Sequence, residues 1–177
     1  HAYRLGELSS KDTALIYFDD DGAHLCPSAT LQLEKVYPNI VAISDTNETN
    51  ADDYKARLKE GYQWIWLAAH SGSTGHTFKA NGEWGTVSSL DIPEINPQTL
   101  FYLVNGCYAG KFINKNCILN HYIFSSDKGQ VSIGYSARAP PPSAICNENF
   151  FSTLGEGVNL GEALNAYLDK IIRDYWW

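Results

Sequence analysis

Leu100-Phe101-Tyr102-Leu103-Val104-Asn105-Gly106-Cys107-Tyr108-Ala109-Gly110-Lys111-Phe112 is an apolar run of strand character that ends abruptly in a turn of small residues. A cysteine sits on that turn. A side chain there is backed by a buried strand and faces the open end of a sheet, which is where open α/β sheets place their chemistry. Tyr62-Gln63-Trp64-Ile65-Trp66-Leu67-Ala68-Ala69-His70-Ser71-Gly72 has the same build and runs out into His70. One strand delivers an imidazole and a later one a thiol.

Working outward, the chain before these two stretches alternates strand and helix. Thr13–Phe18 reads as a short buried strand that ends in the acidic turn Asp19-Asp20-Asp21-Gly22. A helix is expected over Ser28–Val36, broken by Pro38-Asn39, and a strand over Ile40–Ile43. Asn50 is a suitable N-cap for a helix over Ala51–Glu60, and Gly61 supplies its stop. The order strand, helix, strand, helix, strand argues for a parallel sheet with crossover helices.

Between the two stretches, Ser71–Gly85 is rich in Gly, Ser and Thr and reads as a loop or a small hairpin around Asn81-Gly82. Val87–Leu90 and Pro93–Ile95 read as a short connection. Beyond Cys107, Phe112–Ile123 is expected to be helical in part, and Gln130–Tyr135 to be one more strand. Pro140-Pro141-Pro142 cannot be helical. Leu160, Leu164, Leu168 and Ile171 share one helix face. No internal repeat or linker divides the chain.

Composition narrows the function classes. The 177 residues suffice for one domain with its own core, and 44% hydrophobic against 19% charged residues is an ordinary globular balance. The net charge of −7 comes with no basic run, so no nucleic-acid partner is expected. No apolar stretch approaches the ~20 residues that span a bilayer. The chain begins at His1 and has no Met, so it is expected to be a piece of something longer. Cys26, Cys107, Cys117 and Cys146 lack C-x-x-C spacing, which gives no support to a structural zinc site. The aromatic share, with 5 Trp and 11 Tyr, suits a filled core or a lined groove.

A thiol with a free pKa of about 8.5 is mostly protonated at neutral pH, and an adjacent imidazole or a helix N-terminus corrects this. A lone Cys at a strand end is more often a small buried hydrophobe, and a lone His there a loop hydrogen-bonder. What separates Cys107 and His70 from those cases is that both end apolar strands, with glycine beside each.

At this point the residues resemble a known family. Ala69-His70-Ser71-Gly72, followed 37 positions on from His70 by the Cys107 turn, resembles the histidine and cysteine blocks of gingipain-like cysteine peptidases. These belong to the larger caspase, legumain and clostripain group with the caspase–hemoglobinase fold. Asn50–Gly72, Gly129–Arg138 and Leu160-Gly161-Glu162-Ala163-Leu164 resemble the neighbouring family segments in the same order.

The resemblance implies an α/β fold, a mainly parallel central sheet flanked by helices in a three-layer sandwich, with residues 1–177 as a single catalytic domain. It implies hydrolysis of peptide bonds through a Cys-His dyad and an acyl-enzyme, with Cys107 as nucleophile and His70 protonating the leaving amine. The amides of Cys107 and Ser71 would form the oxyanion hole, and Asp21, just before Gly22, would orient the imidazole. No cofactor or metal is implied. The implied partners are a peptide or protein substrate and the remaining domains of a parent chain, in an extracellular or cell-surface setting.

There are departures. The usual His-Gly of the family is His70-Ser71 here, and a second histidine, His76, reads as the catalytic one, a zinc ligand or a plain loop residue, with His70 preferred because it directly follows the strand. The pocket for the residue before the scissile bond is assigned no acidic floor, and Ser136–Ser143 offers a rigid apolar wall. Two other functions stay open. One is a caspase-like module that has lost activity and serves binding or structure in a larger surface protein. The other is a serine hydrolase, because Ala69-His70-Ser71-Gly72-Ser73 distantly mimics the G-x-S-x-G elbow.

Overall fold

A computed structural model of the chain describes residues 11–139 and 148–176. Its centre is a five-stranded, fully parallel sheet. The strands are β1 (Lys11–Phe18), β2 (Asn39–Ile43), β3 (Tyr62–Ala68), β7 (Phe101–Asn105) and β8 (Val131–Gly134), in the order β2-β1-β3-β7-β8. The central three strands are apolar on both faces because helices cover both.

Strand alternation divides the core in two. Ala14, Ile16, Phe18, Trp64, Trp66 and Leu103 point to one face. There they meet α1 (Cys26–Leu33), α5 (Glu148–Gly155) and α6 (Leu160–Trp176). Trp66 lies 5.0 Å from Phe151, and Trp64 packs on Phe101, Phe150 and Phe151. Leu15, Tyr17, Ile65, Leu67, Tyr102 and Val104 point to the other face. That side is covered by α2 (Ala51–Leu58), the single turn α3 (Ile92–Ile95) and α4 (Ile118–Phe124). The result is the three-layer α/β sandwich that the alternation of strands and helices implies.

Local chemistry accounts for the boundaries. Asn50 caps α2 by accepting from the Asp53 N–H at 2.9 Å. The end of α2 tightens as Lys59 and Glu60 donate to Ala56 and Arg57, and Gly61 takes φ +79° to leave. The hydroxyl of Tyr17 donates to the Asn50 carbonyl and accepts the Asn50 N–H, tying β1 to the start of α2.

Between β3 and β7 the chain forms a second, antiparallel sheet of β4 (His70–Gly72), β5 (Gly75–Ala80) and β6 (Glu83–Ser88). Asn81 (φ 52°) and Gly82 (φ 84°) make its two-residue turn, with Ala80 opposite Glu83. The hairpin expected around Asn81-Gly82 is therefore present and longer than anticipated. Val87, read as part of a connection, is a buried residue of β6. Its apolar character serves packing on Phe78 and α2, which a window on local polarity does not register.

Two further boundaries differ from expectation. Helix α1 ends at Leu33 instead of Val36, and residues 112–117 form turns before α4 begins at Ile118. Helix α5 was not anticipated. Its apolar positions Phe150, Phe151 and Leu154 make only one turn of pattern, and the buried tryptophans of β3 stabilise it. Pro140-Pro141-Pro142 and Ser143, half of the Ser136–Ser143 wall, lie outside the described residues, as does Cys146.

Candidate active site

The sheet register brings the two singled-out strands side by side. Strand β3 runs parallel to β7, and their last rung pairs Ala68 with Asn105. His70 and Cys107 each lie two residues past that rung, at equivalent places beyond the carboxyl ends of adjacent strands. Asn105 is itself an anchor: its Oδ1 accepts from the Trp66 indole N–H at 2.5 Å in the core.

The turns that carry the two residues are in direct contact. Gly106 has no room for a side chain: a Cβ there would overlap Ser71 Oγ and stand 2.6 Å from Ser71 Cβ and 3.0 Å from the Ala69 carbonyl oxygen. The residue before Cys107 is thus seated on the residues either side of His70. Farther along, Ile118 N–H donates to the Ser73 carbonyl and Asn114 Nδ2 to the Ser73 hydroxyl, at 2.8 and 2.6 Å. From its other side, the Cys107 turn is held by Tyr108 N–H donating to Ala137 and Gly110 N–H donating to Tyr135. Tyr108 pays a conformational cost for this, with φ +58°.

Cys107 is a free, half-buried thiol. Its backbone N–H makes no hydrogen bond among the described residues, so it remains available to an incoming oxygen. Cys26 and Cys117 are also free but buried, and Cys117 Sγ donates to the Ala109 carbonyl.

His70 opens strand β4 and is 45% exposed. Its Nε2 lies 3.3 Å from an Asp21 carboxylate oxygen and 3.5 Å from one of Asp20. The acidic turn at the end of β1 therefore faces the imidazole with two carboxylates, where the resemblance favoured Asp21 among the three acids of the turn. These donor atoms lie within 4.8 Å of one another, a spacing that an imidazole between two carboxylates adopts without a metal. Asp20 Oδ1 also accepts the Asp21 N–H, which holds the turn in shape.

The first acid of the turn does something else. Asp19 is buried, accepting from Thr49 Oγ1 at 2.8 Å and from the Lys79 N–H at 2.9 Å. Burial pushes its carboxyl up against the lowering effect of those hydrogen bonds. It ties the end of β1 to β5 and so fixes the hairpin beside His70.

The second histidine lies in the core. His76, on β5, has no exposed surface, and its Nδ1 lies 2.7 Å from the Ser71 hydroxyl. Burial lowers its pKa to about 3, so the ring is neutral at ordinary pH. The zinc alternative for His76 has no further ligand-forming group gathered with it among the described residues.

One neighbour of His70 carries no motif. The Trp84 ring lies 5.5 Å from the imidazole, tilted by 58°, and Lys79 Nζ is 5.5 Å from the centre of the indole. Trp84 is 57% exposed and opposite Lys79 in the hairpin. Only strand pairing brings it to His70, so sequence spacing holds no signal for it.

The serine-elbow alternative is corrected here. A G-x-S-x-G nucleophile turns from strand straight into helix, whereas Ser71 lies within strand β4, which pairs back with β5. The Ser71 hydroxyl lies 2.7 Å from His76 Nδ1, but that imidazole has no exposed surface from which to pass a proton to a leaving group.

No protein-family model matches the sequence, and no curated protein matches it. Solved structures do. The Arg-specific cysteine proteinase gingipain R (RgpB) superposes with a TM-score of 0.68 at 14% identity, covering 93% of this chain and 42% of that one. The complex of Porphyromonas gingivalis RgpB pro- and mature domains gives 0.62 at 13%, covering 92% and 44%. The chain thus spans less than half of the gingipain chains it matches. At such identities the likeness concerns the fold, which agrees with the parallel sheet, its flanking helices and the paired strand ends. The chain has the gingipain-type, caspase–hemoglobinase fold.

Proposed function

We propose that this chain is the catalytic unit of a cysteine endopeptidase, with Cys107 as nucleophile and His70 as acid and base. The observation that carries the reading is the seating of the Cys107 turn on the His70 turn through Gly106, at matched ends of β3 and β7.

In the proposed cycle the Cys107 thiolate attacks the scissile carbonyl carbon and forms a C–S bond. Negative charge moves to the carbonyl oxygen. The Cys107 N–H, unengaged among the described residues, and the Ser71 N–H are the proposed donors to that oxygen. Collapse of the intermediate breaks the C–N bond, and the His70 imidazolium gives its proton to the departing amine. Water then attacks the thioester, His70 takes the proton from it, and the acid leaves as the thiolate is restored. Asp20 and Asp21 hold the His70 Nε2 side, which leaves Nδ1 to face substrate. Nδ1 makes no hydrogen bond among the described residues.

The partners of this reading are a peptide or protein substrate and further domains of a longer chain, in an extracellular or cell-surface setting. No helix among the described residues is long and apolar enough to cross a membrane.

Iodoacetamide labelling at mildly acidic pH, against a denatured control, tests the central claim. Cys107 should react well ahead of Cys26 and Cys117 and faster than in the unfolded chain. Cleavage of a fluorogenic peptide pool that disappears in Cys107→Ala completes the case. A Cys107 no faster than an unfolded thiol, with no cleavage, would favour the inactive binding module.

A further inference from the structure

His76 and Ser71 face each other directly in the β4–β5 ladder. The Ser71 hydroxyl has two neighbours, His76 Nδ1 at 2.7 Å and the Ala69 carbonyl at 3.2 Å. It has one proton to give, and the carbonyl can only accept. Both contacts are hydrogen bonds only if His76 carries its proton on Nδ1 and donates it to Ser71 Oγ. Ser71 then donates to Ala69. The opposite tautomer would leave the Ser71–Ala69 contact without a proton. It would also bury an Nε2–H with no acceptor, since His76 Nε2 has no partner among the described residues.

Neighbouring rings fix the plane of the imidazole. It stacks on Tyr122 at 5.9 Å and 18°, and meets Tyr54 edge-on at 6.3 Å. Tyr122 is itself stacked on Tyr102 at 4.4 Å, and its hydroxyl lies 3.3 Å from that of Tyr54. A packed aromatic block thus holds one N–H pointed at the turn that carries His70. This N–H reaches the Ser71 hydroxyl directly and, through it, the Ala69 carbonyl, so it acts on the residues on either side of His70. Gly106 rests on those same two residues.

We propose that His76 and Ser71 are positioning residues for the His70–Cys107 pair, acting as a relay from the His76 Nδ1–H through the Ser71 hydroxyl to the Ala69 carbonyl. The relay sets the direction in which His70 leaves β3, aims the Ser71 N–H, and fixes the surface on which the Cys107 turn sits. The consequence for catalysis rests on the peptidase reading, whereas the relay does not.

The test separates the donor from the packing. His76→Phe keeps the ring and its stack on Tyr122 but removes the N–H. His76→Asn loses the ring but puts an amide N–H close to where Nδ1–H stood. With a fluorogenic peptide pool as substrate, His76→Phe and Ser71→Ala should lose about 10- to 100-fold in kcat, the scale of a small misplacement of reacting groups. KM should stay nearly unchanged. His76→Asn should retain most of kcat although it melts at a lower temperature than His76→Phe. If kcat instead follows melting temperature, with Asn below Phe, the ring serves packing alone and the proposal is wrong. Nitrogen-15 spectra of the histidine rings read the relay without activity. They should show an Nδ1–H on His76 protected from exchange, and its protection lost in Ser71→Ala. An Nε2–H tautomer would overturn the relay. If the wild-type chain cleaves nothing in the pool, the peptidase reading fails and the ring spectra alone decide the relay.

Discussion

Substituting alanine for Gly106 tests whether the Cys107 and His70 turns truly rest on each other. The new Cβ would overlap Ser71 Oγ and come within 2.6 Å of Ser71 Cβ. Carbon atoms in good contact sit about 3.5–4.0 Å apart, so β4 and the Cys107 turn must separate by roughly 1 Å. Overpacking of this kind costs about 1–3 kcal/mol. The upper half of that range applies, because the atoms met include a carbonyl oxygen at 3.0 Å that cannot swing aside.

The same displacement opens the gap between His70 and Cys107, and an error of about 1 Å in placing reacting groups costs about 10²-fold in rate. Urea unfolding should therefore show a lower midpoint with an unchanged slope, and hydrolysis of a peptide pool should fall by about that factor. Adding Ser71→Gly removes both side-chain overlaps and leaves only the Ala69 oxygen. Ser71→Gly alone costs stability because it strips the buried His76 of its hydroxyl partner, so the double variant should lose less than the two single losses added, by an interaction energy of about 0.5–3 kcal/mol. Gly106→Ala with the wild-type midpoint, or a double variant whose loss equals the sum of the two single losses, would refute the contact on which the site is built.

Other consequences can be measured separately. His76 titrates at about 3 in the folded chain and near 6.5 when free. Below pH 6.5 the unfolded chain therefore binds a proton that the folded chain refuses. Its stabilisation is complete above pH 6.5 and is lost as pH falls toward 3, at about 1.4 kcal/mol per unit. His76→Phe should flatten that part of the stability–pH curve, and an unchanged acid limb would argue against burial of the ring. Asn105→Ala leaves the buried Trp66 indole N–H without its acceptor, at a cost of about 1–3 kcal/mol; an unaltered unfolding midpoint would contradict that pairing. Trp84→Ala removes the ring beside His70 from an exposed hairpin position. It should alter peptide hydrolysis with little change in melting temperature, and equal kcat and KM would show that the indole is outside the cleft. Replacing Asp20 and Asp21 together by Asn should lower kcat more than either change alone, because both carboxylates face the same ring nitrogen.

The alternation of apolar strands with capped helices was enough to establish a parallel α/β sheet, because strand burial on both faces and caps such as Asn50 are local properties. So was the placement of His70 and Cys107 at strand ends, since each apolar run stops where its turn begins. The Asn81-Gly82 hairpin was equally legible, its turn residues being chosen by backbone angle alone. Helix α5 was not, since one turn of apolar pattern means little until Trp64 and Trp66 lie beneath it.

The division of labour among Asp19, Asp20 and Asp21 also needed the tertiary structure. Three identical residues in a row differ only in what faces them: Thr49 and the Lys79 amide for the first, His70 for the other two. His76 and His70 are chemically the same side chain, and the strand pairing of β4 with β5 puts one in the core and leaves the other at the surface. Trp84 reaches His70 through that same pairing. Sequence records which groups a strand end can offer. Which of them meet depends on register and packing between segments far apart in the chain, and no local pattern encodes that.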